Sequence, residues 1–321
     1  MSTLIRFAHL SDWHATTLRG AGSAAWRGKR LSGWASWYFS RRHHHASAVL
    51  EAAIRDVRAQ AFDRILVTGD LTHISLPAEF EAARRQLEQL GPPEQVFLIP
   101  GNHDCYVEVD PAQGWDRWAP YLRGQASAAL RALDVELAEA VVDPRDGRAP
   151  RHADYPTLRV FGRVALIGLC SVIPTPVFRA GGLLGSEQLA RLRRLLIRAE
   201  ALGLCRVVMI HHPVHPHGEP PRRALWDADA LRALLAETGA ELVLHGHKHR
   251  RRVHLLEGPR RPIPAIGVPS TSSADPRPDR PAQYHLFSVR DAPEGGFVIE
   301  TSVRGYDANA GAFVALSDRL V

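Results

Sequence analysis

Val96-Phe97-Leu98-Ile99-Pro100-Gly101-Asn102-His103-Asp104 is the stretch from which the fold can be read. Four apolar residues form a run of strand length, Pro100 and Gly101 break it, and three polar side chains follow at once. The same grammar recurs four times. Residues 4–10 run into Ser11-Asp12-Trp13-His14, and Ile65-Leu66-Val67 into Thr68-Gly69-Asp70. Val207-Val208-Met209-Ile210 runs into His211-His212-Pro213, and Leu242-Val243-Leu244 into His245-Gly246-His247-Lys248-His249. Five buried strands of one sheet, each tipped with Asp, Asn or His, predict convergence on one spot, because open α/β sheets bind ligands beyond the carboxyl ends of their strands.

Helical patterns fill the intervals. Residues 47–58 place Val49, Ala53, Ile54 and Val57 on one face. Residues 77–90 open with Pro77 and stop before Gly91, 186–201 stop at Gly203, and 228–237 form a fourth helix. Residues 164–169 read as another strand; after Arg250 come 263–268, 284–289 and 297–303, with a Pro-rich loop at 269–281. Alternating strands and helices followed by strands alone predict an α/β core whose C-terminal part completes a second sheet. The expected organisation is one domain over 1–321, with a basic, aromatic insertion at 15–45 and a helical cap insertion at 105–155. In the cap, Trp115, Trp118 and Tyr121 fall at helical spacing and pack it onto the body.

Composition narrows the class without deciding function. The chain has 321 residues, 45% hydrophobic and 23% charged, an ordinary globular balance with length enough for a sizeable core. No run approaches the roughly 20 apolar residues of a membrane span. The first apolar run is interrupted by Arg6 and His9, unlike a secretory signal, so the cytosol is the expected compartment. Cys105, Cys170 and Cys205 are scattered and include no CxxC pair, which argues against a thiolate zinc site. The net charge of +6, carried mostly by Arg, fits an anionic partner without choosing among small molecule, nucleic acid and membrane.

The clustered side chains offer carboxylate, amide oxygen and imidazole, a mixed donor set that suits Mn, Fe, Zn or Co. Asp12/His14 and His247/His249 are each two residues apart and would face one side of an extended segment. Gly69, Gly101 and Gly246 would let the backbone turn close to the site. Seven such ligands exceed one tetrahedral ion and suit two ions sharing a carboxylate, as in two-metal sites that catalyse displacement at phosphorus. An isolated Asp-x-His pair is as readily a turn cap beside a surface histidine; it is the recurrence at five strand ends that carries weight.

DxH, GD, GNHD, HHP and GHxH, in this order and each after a strand, resemble the calcineurin-like metallophosphoesterase superfamily from Leu4 to about Val268. The resemblance implies a four-layer α/β/β/α sandwich of two mixed sheets flanked by helices. It implies one metal held by Asp12, His14 and His249, a second held by Asn102, His211 and His247, and Asp70 bridging them. His211 is preferred to His212 because it stands two residues before Pro213. His103 would be the general acid or transition-state stabiliser, with Asp104 orienting its ring, and a metal-activated hydroxide would attack phosphorus. The implied cofactors are two divalent ions, Mn by first choice, with Fe or Zn as alternatives.

Residues 15–50 carry Arg19, Arg27, Lys29, Arg30, Arg41 and Arg42 with no acidic residue before Glu51, interleaved with Trp26, Trp34, Trp37, Tyr38 and Phe39. One reading is a partly packed loop. The other is a lip for an anionic amphiphile, with Arg27, Lys29, Arg30, Trp34 and Trp37 as substrate contacts and the protein peripheral at the inner face of the membrane. Part of the superfamily hydrolyses UDP-2,3-diacylglucosamine in lipid A synthesis, and residues 29–42 look similar to a variant branch of those enzymes. The leading expectation is therefore a phosphodiesterase or pyrophosphatase acting on a nucleotide-linked lipid. The alternatives are a cyclic nucleotide phosphodiesterase, a nuclease, disfavoured for want of a DNA-binding extension, and a non-catalytic scaffold, disfavoured because no ligand is lost. His43-His44-His45 reads as a solvated turn, His212 and His245 as packing residues, and His215 and His217 as surface or substrate-contacting positions.

Overall fold

The computed structural model of the chain describes residues 3–14, 18, 28–38, 45–215, 219–275, 277, 279–317 and 320. Its strands are β1 (Thr3–Leu10), β2 (Arg64–Val67), β3 (Val96–Leu98), β4 (Thr157–Phe161), β5 (Val164–Gly168), β6 (Cys205–Met209), β7 (Leu242–His245), β8 (Arg252–Leu256), β9 (Ile263–Gly267), β10 (Gln283–Asp291), β11 (Phe297–Asp307) and β12 (Ala312–Leu316). Its α-helices are α1 (Lys29–Ser36), α2 (Ser47–Ala59), α3 (Pro77–Leu90), α4 (Ala119–Leu122), α5 (Ser127–Leu133), α6 (Val135–Glu139), α7 (Ser186–Ala201) and α8 (Ala228–Thr238).

Among the described residues the strands form two six-stranded mixed sheets, ordered β12-β11-β10-β1-β2-β3 and β4-β5-β6-β7-β9-β8. β1, β2 and β3 are parallel, and β10 to β12 extend that sheet antiparallel. β5, β6, β7 and β9 are parallel, with β4 and β8 antiparallel at the edges.

The period-2 alternation of each strand sorts its side chains between two cores. In the first sheet Leu10, Ile65, Val67 and Leu98 pack outward under α2 and α3, with Trp118. In the second, Ile167, Val208, Ile210 and Val243 pack under α7 and α8. The intervening residues, among them Phe7, Leu66, Phe97, Met209, Leu244 and Phe287, fill the space between the sheets. The result is helices, sheet, sheet, helices: the α/β/β/α sandwich that the resemblance implied.

Two expectations are corrected. The five motif-bearing strands do not belong to one sheet: β1, β2 and β3 lie in the first, β6 and β7 in the second. Of the strands expected after Arg250, 263–268 does join the second sheet as β9, beside β8, but 284–289 and 297–303 do not: as β10 and β11 they extend the first sheet from β1. The first follows from central strands buried on two faces, whose uniform apolar runs carry no mark of sheet membership. The second follows from a pairing of β10 with β1 as distant in sequence as Arg290 with Thr3, which local pattern does not encode.

The stretch 105–155, expected as a cap, instead lies against the flank. Trp118, Tyr121, Leu122 and Ala149 join the core under α3, and only Tyr106 reaches the cavity described below. The buried Arg159 on β4 fastens it, donating to the carbonyls of Arg123, Pro120 and Tyr121 as well as Pro93 and Val96, at 2.6–3.2 Å. No helix among the described residues is long and apolar enough to cross a membrane.

Candidate metal centre

The ends of β1, β2 and β3 are locked together before any ligand is placed. The amide of Asp12 donates to the carbonyl of Gly69 at 2.9 Å, and that of His14 to Asp70 at 3.2 Å. Gly69 has φ +85 and lies against Gly101 so closely that a Cβ on either would land on the other loop's backbone. The sequence thus uses glycine twice where two turns must touch.

Asp12, His14, Asp70, His247 and His249 all adopt left-handed backbone, with φ between 38° and 70°; nine non-glycine residues do so among those described. This corrects the expectation that the paired residues sit on extended segments. Such conformations cost of order 1 kcal/mol or more each and persist where the surroundings fix them, commonly at functional sites.

The side chains meet around one oxygen. Oδ2 of Asp70 lies 3.7 Å from His14 Nε2 and 3.3 Å from His211 Nε2. Its other oxygen accepts the His103 amide at 2.7 Å. On one side, His249 Nε2 is 3.3 Å from Asp12 Oδ1. On the other, Asn102 Oδ1 is 3.1 Å from His211 Nε2 and 2.8 Å from His247 Nδ1. Ligand atoms held about 2.1 Å from one cation lie roughly 3–3.5 Å from each other. Asp12, His14, Asp70 and His249 form one group with ligand atoms within 4.8 Å of one another, and Asp70, His211 and His247 a second. The donors present therefore fit two cations with Asp70 between them. Outer hydrogen bonds fix the rings: Nδ1 of His14 meets the carbonyl of Thr72, and Nδ1 of His211 that of Thr68, both at 2.6 Å, which turns each Nε2 to the centre.

Electrostatics suits the same role at His14, His247 and Asp70; at His211, burial pulls downward but Asp70 outweighs it and raises the pKa to about 9, so a cation there would have to displace that proton. Burial, then neighbouring imidazoles, hold His14 and His247 well below the usual histidine range, so both offer a lone pair at neutral pH. For Asp70 burial opposes ionisation, but His211 and His103 outweigh it and hold the carboxyl well below the carboxylate range.

Asp104 corrects another expectation. It does not orient the His103 ring, whose Nδ1 meets the carbonyl of His73 at 2.6 Å. The Asp104 carboxylate instead accepts from the amides of Asp70, Leu71, Thr72 and Gly101 and from the Thr72 hydroxyl, at 2.8–3.2 Å. Burial, then Asp70, push its pKa up to about 7 against the pull of the Gly101 and Thr72 amides.

Two further histidines belong here. His45, read as part of a solvated turn, is half-buried, its ring 4.8 Å from that of His14, and groups with His14 and His249 as a possible ligand set. Its Nδ1 meets the hydroxyls of Ser272 and Ser270 at 3.1 and 3.3 Å. His73 stacks on His14 at 5.2 Å. His73 stands in no motif, and the His43-His44-His45 run that contains His45 lies far in sequence from any strand end, so the sequence marks neither as a ligand. His212 faces Ser171 and Ala180, as a packing residue would. His215 is buried, stacked on His254, rather than placed on a surface loop. His43, His44 and His217 lie outside the described residues.

The centre opens into a cavity of about 610 Å³. Lys29 and Trp37 line it, Lys29 with its ammonium over the Tyr106 ring at 4.3 Å and bonded to Thr175 at 2.8 Å. Two other expected contacts do not line it: Arg30 donates to the carbonyls of Ile74 and Ser75, and Trp34 stacks on Tyr38. Arg27 lies outside the described residues. A further stretch of lining, which the sequence reading passed over, brings Phe178, Arg179, Arg222 and Arg223 to the same cavity.

The family model described as calcineurin-like phosphoesterase matches residues 5–251. No curated protein matches the chain significantly. Among solved structures, a dimetal phosphatase from Danio rerio is 13% identical with a TM-score of 0.57, 95% of this chain and 96% of that one being covered. GAP50, the anchor in the inner membrane complex of Plasmodium, is 12% identical with a TM-score of 0.44 and coverages of 94% and 84%. Vacuolar protein sorting 29 from Cryptosporidium parvum is 11% identical with a TM-score of 0.41 and coverages of 98% and 97%.

Proposed function

This chain belongs to the calcineurin-like phosphoesterase family, and on that premise we propose that it is a dimetal hydrolase cleaving a phosphodiester or pyrophosphate bond in a nucleotide-linked, acylated substrate such as UDP-2,3-diacylglucosamine. The observation that carries the hydrolytic part is the single carboxylate oxygen of Asp70 standing between His14 and His211, each backed by its own group of donors.

Two divalent cations bound there would neutralise phosphoryl charge and lower the pKa of water. Asp12, His14 and His249 would hold one, Asn102, His211 and His247 the other, with Asp70 shared. Manganese is the favoured metal because the donors are oxygen and imidazole without sulfur. His103 lines the cavity, and its Nδ1 is engaged by the His73 carbonyl. As an imidazolium it would hold a proton on Nε2 and deliver it to the departing oxygen.

The substrate class is supported by the cavity. Its volume exceeds what one phosphate needs and suits a small-molecule site. Exposed apolar side chains stand on the segments around it, including Leu31 and Tyr38 of the 15–45 lip, Val177, Phe178 and Trp226. Such a rim fits acyl chains and peripheral contact with a membrane interface.

The test is turnover by Mn-loaded protein against UDP-2,3-diacylglucosamine, bis(p-nitrophenyl) phosphate, a cyclic nucleotide and DNA. Metal-dependent cleavage of the first two is expected, and Asp70→Asn should lower it on the order of 100-fold or more together with bound metal. Metal-independent or absent turnover on the whole panel contradicts the proposal.

A further inference from the structure

The part of the cavity lining that Lys29 meets through Thr175 is built from two loops that sequence motifs did not mark. Residues 180–182 and 222–226 are laced together: Ala180 donates to the carbonyl of Arg222 at 2.8 Å, Gly182 to Ala224 at 3.0 Å, and Trp226 to Gly182 at 2.8 Å. The carbonyl of Ala180 is met by His212 Nε2 at 3.1 Å, and that of Arg179 by the Thr175 hydroxyl at 2.7 Å. This ladder sets Arg179 beside Arg222 and Arg223 on one rim of the cavity that holds Asp70, Asn102 and His247.

Three features of that rim have no structural purpose. First, Arg179, Arg222 and Arg223 make no ion pair among the described residues, although all three are exposed and line one cavity, where their like charges add. Second, the cavity as a whole is unbalanced. Lys29 and Arg280 also line it without an ion pair among the described residues, whereas Asp275 is paired with Arg277 and Asp70 belongs to the metal centre. Third, Phe178 adopts left-handed backbone, φ +64, yet is 82% exposed. A phenylalanine held at a conformational cost and pointed into solvent contributes nothing to folding. Scattered surface arginines are ordinary; three of them on a hydrogen-bonded ladder, lining the mouth of one cavity with a strained, exposed aromatic, are a recognition device.

The geometry points to a second anion subsite at Arg179, Arg222 and Arg223, with Phe178 as its apolar platform, so that the substrate is a diphosphate: one phosphate lies at the metal centre, the other at these arginines, and its attached group against Phe178. This rests on the phosphohydrolase reading above and favours anhydride over simple diester cleavage. In the step implied, the oxygen of water forms the new P–O bond and the bridging P–O bond breaks. Its electron pair leaves with the second phosphate, whose freed oxygen takes the proton of His103, and the proton from water passes to solvent, from which His103 is reprotonated. The arginines stabilise the departing phosphate as its charge grows.

The experiment compares wild type with R179A/R222A, both Mn-loaded. On a uridine diphosphate sugar, kcat/KM should fall on the order of 100-fold in the variant. On bis(p-nitrophenyl) phosphate, which has no second phosphate, it should fall on the order of 30-fold less. A methylene-bridged nucleoside diphosphate should likewise lose at least about tenfold more affinity than the nucleoside monophosphate, and this binding arm decides even where turnover is absent. Equal losses on both substrates, or equal losses of both ligands, overturn the subsite. A wild type that cleaves the diester but not the diphosphate overturns it too, while leaving the phosphoesterase assignment intact; no metal-dependent cleavage of either contradicts that assignment instead. Phe178→Ala separates the two sources of apolar contact. Loss on both the acylated and the non-acylated uridine diphosphate sugar places the base on the ring, loss on the acylated one alone places an acyl chain there, and no loss removes Phe178 from the site.

Discussion

Asp104 sits two residues beyond Asn102 and lies outside both ligand groups, yet its carboxylate gathers four amides and a hydroxyl from two loops. Buried donors that lose an acceptor cost about 1–3 kcal/mol each, so Asp104→Asn, which turns an acceptor into a donor against those amides, should destabilise the fold by about 2–4 kcal/mol. It should also loosen metal binding, because the amide of Asp70 is one of the groups released. Urea unfolding and titration calorimetry with Mn read the two effects; unchanged stability with lost turnover would make Asp104 a chemical participant after all. At this scale the sequence was legible wherever a ligand stood at a strand end. His45 and His73 were not legible, because each reaches the centre from a loop through tertiary contact. The left-handed backbone of five ligands was hidden as well, since Asp and His do not announce it as Gly does.

Helix α1 carries Lys29 to the cavity wall, where burial lowers its pKa to about 8, the Cys105 side chain pulling slightly the other way. A lysine so shifted is charged below about pH 8 and neutral above it. The KM for an anionic substrate should therefore rise as pH passes through about 8. Lys29→Met should start from a higher KM and lack that step, and the same rise in both proteins would exclude Lys29. Strand β4 depends in turn on Arg159, whose guanidinium serves five carbonyls and lies 4.5 Å from the Phe97 ring. Burial lowers its pKa to about 10, so it stays charged at neutral pH. Arg159→Met should cost about 2–4 kcal/mol in thermal or urea unfolding while leaving the metal content of folded protein unchanged. Equal stability would mean that the 105–155 stretch is held by its apolar packing alone. The central strands and long helices could be read from periodicity and caps to within a residue or two. β4, β8 and β12 could not: β8 and β12 leave most of their side chains half or fully exposed, and in β8 the apolar Val253 and Leu255 fall on the exposed face, so the sequence shows no apolar run to read.

Across the whole molecule, the centre exists because two sheets stack with their parallel strands ending at one edge. β1, β2 and β3 bring Asp12, His14, Asp70 and Asn102 from one layer; β6 and β7 bring His211, His247 and His249 from the other. The inter-sheet core, with Phe7, Phe97, Met209, Leu244 and Phe287 buried in it, therefore sets the separation of the two ligand sets. The sequence disclosed the convergence and not the partition, because strands buried on both faces look alike whichever sheet they join.

The most direct measurement is anomalous diffraction from crystals of the Mn-loaded protein. Two peaks about 3.5–4 Å apart are expected, one on each side of Asp70 Oδ2. A single peak, or metal bound elsewhere with Asp12, His211 and His247 left unligated, would contradict the two-cation centre on which the function depends.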